Sequence, residues 1–276
     1  MSAHKRDESP PGLSPRRRRS AAAVGLGVAA ALSLAACGQS STATGDLATG
    51  QRVLSTCHGK PVAAMLALDV SGSMVEPKLS ADREQMVTDA AERVAVCGGH
   101  LQVLVFSTSS ARTGVLLDKQ FTPSGATENA RVRRSMKDAR AAVDEVQKNY
   151  SGAPGKLSPD GSDILGTYLL AGEYFGQLGS SYGTRVFDLS TDGFATSGVQ
   201  ISGQAMSPAE ATALAEKASV PQLPGVDVTV AGLGKVNGTP PDTAVVQGLT
   251  SFYDAVCAKT RAASCTSVTD YVGGQK

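Results

Sequence analysis

VAAMLALDVSGSM, residues 62–74, is the stretch of this 276-residue chain that decides its fold. Its apolar run from Val62 to Leu68 predicts a strand buried on both faces, as is typical of a parallel sheet. Asp69 then lies at the carboxyl end of that strand, where open α/β sheets bind their ligands. The stretch therefore predicts an α/β fold with a polar site at this strand end.

Asp69, Ser71 and Ser73 put one carboxylate and two hydroxyls at alternate positions after the strand. Oxygen ligands with few carboxylates suit Mg²⁺, which keeps several positions for water or a further ligand. The pattern Asp-x-Ser-x-Ser resembles the first loop of the metal-ion-dependent adhesion site (MIDAS) of von Willebrand factor type A (vWA) domains. The alternative interpretation is that the two serines cap the following helix.

Two later motifs resemble the other loops of that adhesion site. Gly161-Ser162-Asp163-Ile164 resembles the second loop, with Ser162 standing where the family has a Thr whose hydroxyl holds the ion directly or through water. Ser162 could equally be the N-cap of the next helix. Thr191-Asp192-Gly193 resembles the motif after the fourth strand, whose Asp usually holds the metal through water, so that role is expected of Asp192.

The resemblance covers about residues 60–262 and implies both a fold and a function. The expected fold is a single doubly wound α/β domain over 59–276, with a mostly parallel sheet of about six strands, one antiparallel edge and flanking helices. The expected metal is Mg²⁺, with Mn²⁺ and Ca²⁺ as alternatives, and the expected ligands are Asp69, Ser71, Ser73, Ser162 and Asp192.

So few carboxylates leave a divalent ion electrophilic, with a coordination position free. The resemblance therefore implies a protein partner that supplies an Asp or Glu to the metal, and a binding module rather than an enzyme. One alternative is a haloacid-dehalogenase-like phosphatase, but Ser71 stands where its acid Asp is required. The other is a metal-independent structural scaffold of an envelope complex, which the intact oxygen set disfavours without excluding it.

The N-terminus has the pattern of a targeting sequence over residues 1–36. A run of four arginines, Arg16 to Arg19, precedes an apolar stretch that ends in Leu34-Ala35-Ala36-Cys37, which resembles the lipobox of bacterial lipoproteins. The resemblance implies cleavage before Cys37, acylation of that cysteine and anchoring at the extracytoplasmic face of the cell membrane. A transmembrane anchor and an ordinary secretory signal are the alternatives, and the export route stays open. Residues 37–58 are expected to form the lipidated cysteine and a flexible tether, the clearest part of which is the small and polar 38–46.

Charge excludes some partners. Residues 1–36 hold 6 of the 26 Lys and Arg and 2 of the 25 Asp and Glu, which leaves 20 basic and 23 acidic residues after them. A mildly acidic domain without a basic stripe does not indicate nucleic-acid binding, so the expected membrane contact is through the lipid alone.

The four cysteines after Cys37, namely Cys57, Cys97, Cys257 and Cys265, agree with an oxidising compartment. Three pairings are formally possible. Cys57 precedes the first strand and Cys97 ends the helix that returns from the metal loop, so both are expected at the bottom of the sheet and are paired. Cys257 and Cys265 can then bond only if their helix stops near residues 262–264.

Periodicity predicts the remaining elements. Further strands are expected at 101–106, 115–121, 185–190 and 226–233, and helices at 80–97, 128–149, 164–176, from 207 and at 245–259. The last of these helices is the final predicted element.

Overall fold

The computed structural model describes residues 37–71, 74, 77–108, 113–151, 153, 162–193, 207–234 and 242–271, with the backbone alone at 37–43. The chain divides into two compact units, Met1–Ser40 and Ser41–Lys276. Of the first unit, only the helical backbone of residues 37–40 is described. The side-chain contacts given below all lie within the second unit.

The described residues form six strands and six helices in one α/β domain. The strands are β1 (Val62–Asp69), β2 (Gly99–Phe106), β3 (Gly114–Phe121), β4 (Thr184–Ser190), β5 (Val226–Ala231) and β6 (Ser264–Val268). The helices are α1 (Cys37–Thr56), α2 (Ala81–Cys97), α3 (Glu128–Tyr150), α4 (Ile164–Leu178), α5 (Pro208–Lys217) and α6 (Thr243–Thr260).

The strands form one sheet in the order β3-β2-β1-β4-β5-β6. All neighbours pair in parallel except β2 and β3, which are antiparallel, so β3 is the antiparallel edge that was expected. The chain runs outward from β1 on both sides, and the strand order therefore reverses between β1 and β4. Open α/β sheets bind ligands in the crevice at such a reversal, beyond the carboxyl ends of the strands.

Strand β1 is buried along its whole length because both faces of the sheet are covered there. Its alternate residues Val62, Ala64, Leu66 and Leu68 enter a core formed with α2 and α3. The intervening Ala63, Met65 and Ala67 enter a second core formed with α4, α5 and α6. The continuous apolar run thus makes β1 the central strand of a three-layer domain.

Helix α1 covers Cys37–Thr56, where the lipidated cysteine and a flexible tether were expected over residues 37–58, and the second compact unit begins at Ser41. Its side chains Leu47, Val53 and Leu54 pack on a small core that includes Val132 and Met136 of α3. Asp46 also forms an ion pair with Arg140. Apolar contact along one face stabilises a helix whose composition alone does not predict one.

The disulfide between Cys57 and Cys97 is confirmed, with Cα atoms 5.3 Å apart. It joins the residue after α1 to the last residue of α2, at the amino end of β1. The structure also joins Cys257 to Cys265, whose Cα atoms are 6.3 Å apart. Helix α6 ends at Thr260 because Arg261 adopts a left-handed conformation with φ of 53°, which turns the chain back towards the helix.

Strand β6 is an element that the sequence did not predict. It comprises Ser264–Val268, follows α6 directly and pairs in parallel with β5. Its residues are polar apart from Cys265 and Val268, so no apolar run marks it. No helix in the described part of the chain is long and apolar enough to span a membrane.

Candidate functional site

Asp69 is fully buried at the carboxyl end of β1, and its carboxylate accepts three hydrogen bonds. The backbone N–H of Ser71 donates to Oδ1 over 2.8 Å. The hydroxyls of Ser162 and Thr191 both donate to Oδ2, over 2.7 Å and 2.8 Å. Three separate loops therefore converge on one carboxylate.

Strand register explains why Thr191 belongs to this group. Leu68 of β1 pairs with Ser190 of β4, so the next residue of each strand, Asp69 and Thr191, are neighbours. Thr191 is fully buried, and its backbone N–H donates to the carbonyl of Ala231 at the end of β5 over 3.0 Å. The position of its hydroxyl is thus set by the parallel sheet on both sides.

The structure separates Ser162 from the helix cap that was its alternative interpretation. Asp163 is the N-cap of α4, and its side chain accepts a hydrogen bond from the backbone N–H of Gly166 over 3.0 Å. The backbone N–H of Asp163 in turn donates to the carbonyl of Ser107, the residue after β2, over 2.6 Å. This bond holds the loop against the sheet and leaves the Ser162 hydroxyl to contact Asp69.

Ser71 is likewise not the cap of α2. That helix begins at Ala81, and its N-cap is Ser80. Ser71 is 5% exposed and lies in the turn that follows β1, where its backbone bonds to Asp69. The turn continues with a bond from the Met74 N–H to the Ser71 carbonyl over 2.8 Å.

Asp192, the second predicted carboxylate, is buried beside the same centre at 9% exposure. It directly follows Thr191, whose hydroxyl contacts Asp69. Burial is the main cause that raises the pKa of the neighbouring Tyr253. The hydroxyl of Tyr253 donates to the carbonyl of Gly193 over 2.6 Å, which fixes the loop after β4.

The structure thus gathers Asp69, Ser71, Ser162 and Asp192, four of the five residues predicted as metal ligands. Ser73, the fifth, lies outside the described residues. Residues 1–36 of the predicted signal lie outside them too, and for Cys37 only the backbone is described.

Two residues of the site escaped the sequence analysis. Thr191 is part of the Thr-Asp-Gly motif, but the motif does not show that its hydroxyl bonds to Asp69. That contact follows from the register of β1 and β4. Arg83 gave no signal, because a charged residue near the start of an amphipathic helix is expected in solvent. In the structure Arg83 is 3% exposed.

Arg83 reaches from α2 to the underside of the site through four hydrogen bonds. Its Nη2 donates to the main-chain oxygen of Asp69 over 2.6 Å, and its Nη1 donates to that of Met74 over 3.2 Å. Its Nε donates to Ser190 Oγ over 3.1 Å, and its Nη1 also reaches the Tyr150 hydroxyl over 3.0 Å. The guanidinium therefore bonds to the main chain of Asp69, whereas the Asp69 carboxylate bonds to Ser162 and Thr191.

The donor set fits a divalent cation that prefers oxygen. Asp69 and Asp192 offer carboxylates and Ser162 and Thr191 offer hydroxyls, and all four are buried. Ser71, whose backbone N–H bonds to Asp69, is buried beside them. Among the described residues, no Lys, Arg or His nitrogen lies within ion-pair distance of the Asp69 carboxylate.

The described residues contain no cluster of three or more His, Cys, Asp or Glu that could hold a metal. The donors at Asp69 are mostly hydroxyls. Oxygen ligands with few carboxylates are typical of Mg²⁺ sites, whereas structural zinc sites use Cys and His.

No protein-family model and no curated protein matches this sequence. Solved structures resemble it distantly, among them two pilus proteins and a byssus protein. A D319A mutant of the PilB minor pilin from Streptococcus sanguinis is 13% identical with a TM-score of 0.42, and the match covers 77% of this chain. Proximal thread matrix protein 1 from the mussel byssus, with a zinc-occupied MIDAS motif, is 15% identical over 77% of this chain with a TM-score of 0.35.

The pilus adhesin SpaC from Lactobacillus rhamnosus GG, in an open conformation, is 12% identical over 76% of this chain with a TM-score of 0.39. The chain spans 58%, 42% and 28% of the lengths of those three proteins.

Proposed function

We propose that this chain is a vWA binding module that holds a divalent cation at Asp69 and binds an acidic side chain of a partner protein there. The observation that carries the proposal is the convergence of the Ser162 and Thr191 hydroxyls on one oxygen of a fully buried carboxylate. Sequence-distant hydroxyls gathered around a carboxylate form a hard-oxygen site.

The residues divide the work of such a site. Asp69 and Asp192 supply negative charge, and Ser71 and Ser162, with Ser73 by the resemblance, supply neutral oxygens. A bound Mg²⁺, Mn²⁺ or Ca²⁺ would supply a Lewis acid with a coordination position for an incoming oxygen.

Arg83 adds to the preference for an acidic partner. Two carboxylates balance a divalent ion, and the guanidinium beneath Asp69 leaves the region with net positive charge. A negative Asp or Glu of the partner would restore neutrality, whereas a basic side chain would be repelled.

One observation favours a second candidate, a metal-independent scaffold. The Asp69 carboxylate already accepts three hydrogen bonds from the protein, and a metal-free domain needs just such bonds to keep a buried carboxylate in place. In the adhesion site these hydroxyls would bind a metal ion, whereas in the scaffold they stay bonded to Asp69.

Calorimetric titration with MgCl₂ and MnCl₂ separates the candidates. The protein starting after Cys37 is compared with Asp69→Asn, which keeps the shape and removes the charge, and with Asp138→Asn as a matched change on the exposed face of α3. Saturable binding by the unchanged protein and Asp138→Asn, with loss in Asp69→Asn, supports the adhesion site. Absence of binding in all three supports the scaffold.

The partner is sought with the same proteins immobilised and exposed to envelope extract, in Mg²⁺ and in chelator. A protein that is retained only in Mg²⁺, and not by Asp69→Asn, is the expected result. Equal retention under all conditions would remove the metal from the interaction surface.

We also propose that Cys37 carries the lipid that holds the domain at the extracytoplasmic face of the membrane. Its support is the sequence Leu34-Ala35-Ala36-Cys37 after an apolar stretch. Cys37→Ser in the full chain is expected to abolish metabolic labelling by palmitate and to release the protein from the membrane fraction. Labelling that persists in the variant would contradict the assignment.

A further inference from the structure

We propose that Arg83 is the positioning residue of the Asp69 site, and that it sets the distance between the loop after β1 and the loop after β4. The inference deepens the proposed function and rests on it. Arg83 bonds to the main chain of Asp69 and to Ser190 with different nitrogens of one planar group. Because the guanidinium is rigid, these two acceptors are held at a fixed separation.

The first loop is held at both ends. Arg83 donates to the carbonyl of Asp69, where the loop begins, and to that of Met74, five residues later. The predicted ligands Ser71 and Ser73 lie between these two bonds. Arg83 thus anchors the main chain on both sides of Ser71, the predicted ligand of this turn that the structure describes.

The second loop is held one residue before it starts. Ser190 is the last residue of β4, and its hydroxyl accepts the bond from Arg83 Nε. Thr191 and Asp192 follow directly. Alternation along the strand turns Ser190 towards α2 and Thr191 towards Asp69, so one strand end touches the arginine on one face and the carboxylate on the other.

Arg83 Nη1 also bonds to the hydroxyl of Tyr150, the last residue of α3. The two residues are buried together, at 3% exposure for Arg83 and 0% for Tyr150. One side chain thus connects the ends of β1, β4 and α3.

Charge and geometry make opposite predictions for the removal of Arg83. A positive charge near a cation site weakens cation binding, so its loss alone would tighten binding. Loss of the bonds that orient metal ligands weakens binding, by about 10- to 100-fold where outer partners of ligands have been removed. The sign of the change in affinity therefore distinguishes a positioning residue from a nearby charge.

The test compares Arg83→Met, Arg83→Lys and Arg93→Met, the last of which makes the same change ten residues later on α2. Mn²⁺ affinity is measured by calorimetry, and hydrogen exchange of the peptides 66–80 and 186–195 is measured in the metal-free proteins. We expect Arg83→Met to bind Mn²⁺ at least about tenfold more weakly, with faster exchange in both peptides. Arg83→Lys keeps the charge but loses the fork, and we expect it to be weakened as well. Arg93→Met should match the unchanged protein.

The outcomes separate this inference from the proposed function. If the unchanged protein binds Mn²⁺ and Arg83→Met binds it equally or more tightly, the positioning role is overturned and the metal site stands. If the unchanged protein binds no Mn²⁺, the proposed function fails. The positioning role of Arg83 then stands only if hydrogen exchange becomes faster in both peptides of Arg83→Met. Unchanged exchange in a folded Arg83→Met also overturns the positioning role.

Discussion

The hydroxyl of Thr191 lies 2.8 Å from Oδ2 of Asp69, across a sequence separation of 122 residues. This contact joins the ends of β1 and β4, the two strands between which the order of the sheet reverses. The candidate site is thus part of the sheet itself as well as of its loops. Substitutions there are expected to change both stability and binding.

Thr191→Val replaces the hydroxyl with a methyl group of similar shape. We expect the metal-free protein to lose about 1–3 kcal/mol of unfolding free energy, because a buried carboxylate loses one of its donors. Urea denaturation in chelator measures the loss. Thr191→Ser keeps the hydroxyl and is the control; a loss in Thr191→Ser without one in Thr191→Val would mean that the methyl group, and not the bond to Asp69, is what matters.

Ser162→Ala and Asp163→Ala separate binding from helix capping in adjacent residues. Ser162→Ala removes a donor to Asp69 and is expected to weaken Mg²⁺ binding. Asp163→Ala removes the cap of α4 and should cost about 1 kcal/mol of stability while leaving affinity unchanged. Calorimetry and denaturation on both variants test this. A loss of affinity in Asp163→Ala but not in Ser162→Ala would mean that Ser162 is not the residue that belongs to the metal site.

The two disulfides close loops of different length, with sequence separations of 40 and 8 residues. Chain entropy in the unfolded state predicts a loss of about 4 kcal/mol for Cys57→Ser with Cys97→Ser. The corresponding loss for Cys257→Ser with Cys265→Ser is about 2.5 kcal/mol. Denaturation midpoints of the two double variants give the order, and a larger loss from the shorter loop would contradict it.

Tyr168 is fully buried, and its hydroxyl has no hydrogen-bond partner among the described residues. Tyr168→Phe is therefore expected to be neutral or stabilising by up to about 1–2 kcal/mol, because it removes an unsatisfied polar group. Tyr174 is the contrast, since its hydroxyl contacts His100 and the carbonyl of Ala64. Tyr174→Phe should destabilise the protein, and thermal unfolding at neutral pH compares the two.

Tyr168 is also one of the buried tyrosines that limit stability at alkaline pH. Burial raises the pKa of Tyr168 above its ordinary value near 10. Its contribution to stability is complete below pH of about 10, the unfolded value, and is lost as pH rises further, since the unfolded chain releases the proton first. Unfolding followed by tyrosinate absorbance between pH 9 and 12 should therefore begin at higher pH in Tyr168→Phe. An unchanged onset would show that other groups control it.

Apolar runs made the fold predictable from sequence. Strand β1 is a continuous apolar run from Val62 to Leu68, and α5 begins with a Ser207 cap that the structure confirms. Strand β6 and helix α1 were missed because tertiary contacts stabilise them. Ser264–Val268 depends on pairing with β5, and α1 depends on contact with α3.

The candidate site was predictable only where spacing along the chain carried it. Asp69, Ser162 and Asp192 each belong to a recognisable motif. Thr191 required the register of two strands that are distant in sequence. Arg83 could not be predicted. No local sequence pattern distinguishes an arginine on α2 that bonds to the end of β1 from one that lies in solvent.

The disulfide between Cys57 and Cys97 also has a mechanical consequence. Tension that reaches Cys57 through α1 divides there, since one covalent path continues into β1 and the other crosses the disulfide into α2. The first path leads to Asp69 and the second to Arg83, which bond to each other. A pull transmitted through α1 is therefore shared between the central strand and α2, so both partners of this hydrogen bond are loaded together.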